Sequence, residues 1–278
     1  MSNFVSAAEL NDLLASDAPV RVLDVRWRLD RPDGHPEYLG GHVPGAVFVP
    51  LDRELATHGE PSEGRHPLPS TVQLQAAARR WGVNHGDAVV VYDDFQGIAA
   101  ARAWWLLRQG GVDVRLLDGG IRAWVAAGLE VATDDVLPEL GDVALTEIGA
   151  EALTIDEAAA FPASGVLLDV RAPERYRGET EPYDPVAGHI PGAINLPTGR
   201  HLDDEGRMLD RTTVLKTLES IGIDAGTSVA AYCGSGVTAA HTALVLDEVG
   251  IAAKVFAGSW SQWSNTPGRP VATGDQPG

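Results

Sequence analysis

The chain repeats itself, and this repeat limits its possible folds more than any other feature. VRVLDVR, ending at Arg26, recurs as GVLLDVR, ending at Arg171. GHVPGAVFVP from Gly41 recurs as GHIPGAINLP from Gly188. AVVVYDD reaches Asp93 where SVAAYCG reaches Cys233, and LLDGGIRAW near residue 120 answers VFAGSWSQW near residue 259. The landmarks keep their order at separations of 139 to 147 residues, so the 278 residues are read as two copies of one unit.

Each copy shows the same order of elements. A helical opening (SAAELNDLLAS; TIDEAAAFPA) leads to a short apolar strand, a Pro/Gly loop and a second short strand. An amphipathic helix (TVQLQAAARRWG; TTVLKTLESIG), a strand, a long helix and a last strand follow. Strands alternating with helices predict an α/β fold, two tandem domains each built on a doubly wound, mainly parallel sheet flanked by helices. VVVY and VAAY have the unbroken apolar character of strands buried on both faces. TDDVLPELGDVALTEIGAE has no partner in the repeat, which places the domains at 1–132 and 152–278 with a linker at 133–151.

Thirty-nine acidic against 21 basic residues give a formal charge of −18, a field that disfavours nucleic acid and anionic membrane surfaces. An anionic substrate would then need local arginines. No apolar run approaches the ~20 residues of a membrane span, and MSNFVSAAELNDLLASDAP lacks the pattern of a signal peptide, so a cytoplasmic protein is expected. One cysteine excludes an intramolecular disulfide and any cysteine-built metal site, and no cofactor is expected.

That cysteine, Cys233, stands at the end of SVAAY and before GSGVTAAHTALVLDEVG, where open α/β sheets bind ligands. Gly234 and Gly236 permit a tight turn whose amides form an anion nest at a helix start. A thiol at its centre is expected to ionise readily, and the same cradle suits a persulfide; Ser235 and Thr238 add hydroxyls. The bland reading is a small buried hydrophobe, against which the strand-end position counts. The loop lacks the lysine of a nucleotide-binding loop. It also lacks the arginine a cysteine phosphatase needs to grip phosphoryl oxygens. In the first copy the equivalent position is Asp93, which cannot carry sulfur, so that half is expected to be catalytically inactive.

With these residues the sequence resembles the rhodanese superfamily, specifically its two-domain sulfurtransferases, over nearly the whole chain. The loop CGSGVTA is similar to that of the 3-mercaptopyruvate enzymes, whereas thiosulfate-preferring relatives carry basic residues directly after the cysteine. The resemblance implies that Cys233 takes sulfur from 3-mercaptopyruvate as a persulfide and passes it to a thiol, thioredoxin or cyanide. It implies a relay of Ser235, His66 (in HPLP) and Asp52 (in AVFVPLD) at the domain interface. It also implies a loop of Gly234, Gly236, Val237 and Thr238 around the donor, and a substrate-binding Arg175 in RAPERYRGE. A second arginine, expected within TEPYDPVAGH, is missing; Arg177 or Tyr183 is left to replace it, which keeps a thiosulfate sulfurtransferase open as the alternative. A persulfide-binding module without turnover is the reading from another class, and the intact nucleophile loop argues against it.

Asp24–Arg26, Asp169–Arg171, His42 and His189 occur in both copies and are read as structural, tying loops together by Asp–Arg or Asp–His pairing. The tryptophans of ARAWW, IRAW and SWSQW are read as core. By the same resemblance, Gly258, Ser259 and Trp260 line the rim of the Cys233 loop.

Overall fold

The computed structural model describes residues 2–278 and divides them into two compact units. Unit 1 holds the residues up to Thr57, Leu68–Ala150 and Asp203–Met208; unit 2 holds His58–Pro67, Glu151–Leu202 and Leu209–Gly278. Chain order and spatial grouping therefore differ for two short stretches. Residues 58–67 lie in the first half of the sequence but pack within unit 2. The stretch expected as a linker lies along unit 1 up to Ala150. There the Gly141 amide donates to Arg79 O at 2.8 Å, the Thr146 amide donates to Gly110 O at 3.0 Å, and Val143 and Ile148 are buried.

Unit 1 runs β1 (Phe4–Val5), α1 (Ala7–Leu14), β2 (Val20–Asp24), α2 (His35–Gly40), β3 (Val47–Phe48), α3 (Leu51–Glu54) and α4 (Thr71–Arg80). It continues with β4 (Ala88–Tyr92), α5 (Ile98–Gln109), β5 (Asp113–Leu117) and α6 (Gly120–Ala126). Its five strands are all parallel in the order β1-β5-β4-β2-β3. Unit 2 runs α7 (Ile155–Ala160), β6 (Val166–Asp169), α8 (Pro173–Tyr176), β7 (Ile194–Asn195) and α9 (Arg211–Glu219). β8 (Val229–Tyr232), α10 (Val237–Glu248), β9 (Ala253–Val255) and α11 (Ser259–Ser264) complete it. Its order, β7-β6-β8-β9, is again wholly parallel and matches that of unit 1 without the edge strand. The place of β1 is taken by one parallel bridge between Ala152 and Val255.

The central strands explain this order. Val89–Tyr92 of β4 and all of β8 are buried, as unbroken apolar strands covered on both faces must be. Helix starts are set by local chemistry: Ser6 with Glu9, Ser70 with Gln73 and Thr154 with Glu157 form reciprocal capping boxes. The repeated DVR elements become buried ion pairs. Arg26 donates to both oxygens of Asp24, and Arg171 to both oxygens of Asp169, with shortest distances of 2.8 and 2.6 Å. The paired histidines bond chiefly to backbone, although His42 Nε2 also lies 3.8 Å from Asp134 Oδ1. His42 and His189 bond through Nδ1 to the carbonyls of Tyr38 and Tyr176 and stack on those rings at 4.0 and 3.7 Å. The tryptophans at 104, 105, 124, 260 and 263 are buried. Among the described residues no helix is long and apolar enough to cross a membrane.

Two further histidines have no counterpart in the repeat. His201 and His241, on α10, are buried in unit 2, and neither ring nitrogen of His201 has a hydrogen-bond partner among the described residues. Burial, then the neighbouring Arg200, lowers His201 to about 4; burial, then His201, lowers His241 to about 3. Both are neutral in the folded protein at pH 5, whereas the unfolded chain protonates them as pH falls through ~6.5. Stability is therefore lost on acidification from about pH 6.5 downward. His241 alone is expected to cost about 2 kcal/mol at pH 5 relative to pH 7.5. Urea unfolding of wild type and His241→Leu at both pH values checks this; the variant should lose less stability between them by that amount.

Candidate active site

Cys233 follows directly on β8 and is 3% exposed. The loop behind it is turned by its carbonyls. Cys233 O accepts from the Trp260 amide at 3.0 Å, and Gly234 O accepts from the Ser261 amide at 2.8 Å. Those oxygens are directed at α11. The Gly236 amide donates to Sγ at 3.1 Å. Gly236 sits at φ 81, and a Cβ added to it would collide with the Ala257 carbonyl. Only glycine meets both demands.

Ser259 was expected on the rim of the loop and does more than line it. Its backbone is held at φ 53, a conformation that costs a non-glycine residue about 1 kcal/mol or more. In return its Oγ accepts the Cys233 amide at 3.1 Å and lies 4.0 Å from Sγ. The equivalent residue of unit 1 is Gly120, at φ 58, so the DGG/AGS difference in the repeat already carried this signal.

The unit 1 loop, one residue longer, shows what this turn binds. The Asp93 carboxylate accepts from the amides of Phe95, Gly97, Ala99 and Ala100 at 2.8 to 3.0 Å. Burial pushes Asp93 up to about 6 while those amides pull it back, so it is an anion at neutral pH. Unit 1 thus holds a fixed negative side chain where unit 2 holds the thiol.

His66 lies within unit 2, with Nδ1 2.8 Å from Ser235 Oγ; both residues are buried. The preceding Arg65 amide donates to Ser261 Oγ at 3.0 Å, anchoring this segment to α11. Val237 and Thr238 form the first turn of α10. Asp52 belongs to unit 1, on α3, beside a cavity lined by His35, Phe48 and Arg53.

Arg175 leaves α8 with its guanidinium over the Cys233 loop: Nη1 lies 3.4 Å from where a Cβ on Gly234 would sit. Nε and Nη2 grip Glu181 at 3.2 and 2.7 Å. Glu181 in turn accepts from Arg171 at 3.2 Å, so the arginine is held by a chain that runs back to Asp169 on β6. Arg177 points elsewhere, pairing with Glu179 at 2.7 Å.

A buried thiol at a strand end, met by a loop amide at a helix start and beside an arginine, is an arrangement suited to cysteine-dependent group transfer. The chain belongs to the rhodanese family: the model for the rhodanese-like domain matches it twice, at residues 6–127 and 154–266. SseB of Mycobacterium tuberculosis, named for thiosulfate sulfurtransferase activity, is 49% identical over 97% of this chain and 96% of its own. A Pseudomonas aeruginosa protein named for 3-mercaptopyruvate sulfurtransferase activity is 41% identical over 94% of each. The crystal structure of SseA from Escherichia coli matches with a TM-score of 0.83 and 30% identity, covering 94% of this chain and 99% of that one. The protein is accordingly a sulfurtransferase with two rhodanese domains.

Proposed function

We propose that this sulfurtransferase moves sulfane sulfur from 3-mercaptopyruvate, through a persulfide on Cys233, to a thiol acceptor such as thioredoxin, or to cyanide. The carrying observation is the grouping within unit 2 of Cys233 Sγ, the Gly236 amide, the Ser235–His66 hydrogen bond and the uncommitted Nη1 of Arg175. The thiolate attacks the donor's sulfur; the C–S bond breaks, its electrons pass to pyruvate enolate, and Cys233–S–SH remains. Ser235, resupplied through His66, gives the enolate its proton. The acceptor thiolate then attacks the outer sulfur and leaves as R–S–SH, regenerating the Cys233 thiolate. The geometry supporting this relay involves Ser235 and His66, and the resemblance adds Asp52. A lone thiol without a disulfide partner suits the reducing cytoplasm, the compartment this reading assigns.

Charge favours the carboxylate donor. After Cys233 the loop offers neutral Gly234, Ser235, Gly236, Val237 and Thr238, and Glu181 already neutralises much of Arg175. A monoanion fits that field better than the thiosulfate dianion. The name of the 49% identical relative favours thiosulfate as the second reading. Steady-state kinetics with both donors decide between them: kcat/KM for 3-mercaptopyruvate should exceed that for thiosulfate by at least about tenfold, a difference of ~1.4 kcal/mol. Parity or the reverse order would overturn the donor assignment.

A further inference from the structure

The relay joins two stretches that lie far apart in sequence, and both of them rest on α11. The Cys233 loop does so through backbone: Gly234 O accepts from the Ser261 amide at 2.8 Å. The segment that carries His66 does so through a side chain: Ser261 Oγ accepts from the Arg65 amide at 3.0 Å. Each bond falls one residue before the group it aligns, Gly234 before Ser235 and Arg65 before His66. One residue of α11 therefore holds both sides of the 2.8 Å contact between His66 Nδ1 and Ser235 Oγ.

Ser261 is 2% exposed, and its hydroxyl proton goes to Gly258 O at 3.0 Å, which leaves a lone pair for the Arg65 amide. The segment comes this close only because residue 64 is glycine. Gly64 sits at φ 90, and a Cβ on it would lie 2.9 Å from Gly258 O and 3.3 Å from Ser261 Oγ. Unit 1 grips its own late segment with a different residue. Residues 203–208 pack within unit 1, where Asp118 Oδ1 accepts from the Met208 amide at 3.0 Å. The repeat puts Ala257 at the position of Asp118, and Ser261 at that of Arg122. The Ala257 carbonyl faces Gly236, so a carboxylate at 257 would stand beside the Cys233 loop and oppose a thiolate. A neutral hydroxyl four residues on gives the same grip without that charge.

We infer that Ser261 is a positioning residue for proton transfer, holding the segment 58–67 so that His66 meets Ser235 and the enolate receives its proton in time. The inference rests on the relay reading of the mechanism. Ser261 acts through His66 and passes no proton itself, because its own is held by Gly258 O. α11 thereby serves the reaction twice: Ser259 at its start holds the Cys233 amide, and Ser261 two residues on holds the relay segment.

Ser261→Ala removes the hydroxyl and keeps the backbone bond to Gly234 O, so it isolates the relay side of this joint. With 3-mercaptopyruvate its kcat should fall about tenfold, part of the ~10²-fold or more that a positioned acid–base group supplies, with KM changed no more than about threefold. Gly64→Ala, which forces the same contact open, should give the same split. In a His66→Gln background Ser261→Ala should cost no further kcat. Effects that add would make Ser261 a general structural pin and overturn the inference, as would an unchanged kcat in Ser261→Ala while His66→Gln is impaired. Heteronuclear NMR of the histidine side chains reads the joint without turnover. The His66 Nδ1 resonance, assigned by its loss in His66→Gln, should move in Ser261→Ala toward its position in Ser235→Ala; a resonance that stays in place overturns the inference. If His66→Gln keeps full kcat, the relay reading falls, and the placement of His66 by Ser261 is decided by that shift.

Discussion

Cys233→Ser is expected to leave no sulfur transfer above background with any donor, a loss of at least about 10⁴-fold. A serine hydroxyl ionises far less readily than a thiol and cannot hold a sulfane sulfur, so both half-reactions end together. Little else should change. The side chain is buried, the loop is held by backbone bonds from Trp260 and Ser261, and the Gly236 amide can donate to an oxygen as it does to sulfur. Thermal unfolding should thus stay close to wild type. Intact mass after exposure to donor supplies the direct readout: wild type gains one sulfur and the variant none. Turnover surviving in the variant would refute a persulfide at this position. Asp93 gives an internal control, because the matching turn of unit 1 cannot take over the chemistry while four amides hold a carboxylate there.

The architecture was legible because the repeat landmarks mark strand ends. DVR closes β2 and β6, YDD and YCG close β4 and β8, and each carries buried polar groups that tolerate little change of register. β3 and β7, two residues each, read only as the ends of Pro/Gly loops. The segment 58–67 could not be placed from sequence at all. It has neither strand nor helix periodicity, and its anchors are long-range bonds, among them the Arg65 amide to Ser261 Oγ, Arg65 Nη2 to Asp184 Oδ1 and His66 Nδ1 to Ser235 Oγ. For the same reason His66 could be paired with Ser235 only through resemblance, the two lying 169 residues apart. Ser259, by contrast, could have been found by asking why the second copy departs from glycine at a position where the first copy needs φ 58.

Asp169→Ala is expected to destabilise the protein by about 3–5 kcal/mol, because it strands a buried guanidinium. Arg171 is 4% exposed and makes three of its bonds to that carboxylate. Burial works against its charge, and Asp169 beside it restores it. Asp24→Ala should cost a similar amount, since Arg26 is held the same way in unit 1. The two variants should differ in kinetics. Arg171 also bonds Glu181, and Glu181 orients Arg175 above the Cys233 loop. Without Asp169, Arg171 is free to draw Glu181 toward itself and loosen Arg175, so KM for 3-mercaptopyruvate should rise severalfold in the folded fraction. Arg26 instead bonds the carbonyls of Glu37 and Gly41 within unit 1, and Asp24→Ala should keep its KM. Urea unfolding at pH 7.5, combined with kinetics below the transition, separates these outcomes. Equal KM values in the two variants would mean that the repeated ion pair serves the fold alone. A difference confined to Asp169→Ala would mean that one copy of a shared structural device also came to position a substrate-binding arginine.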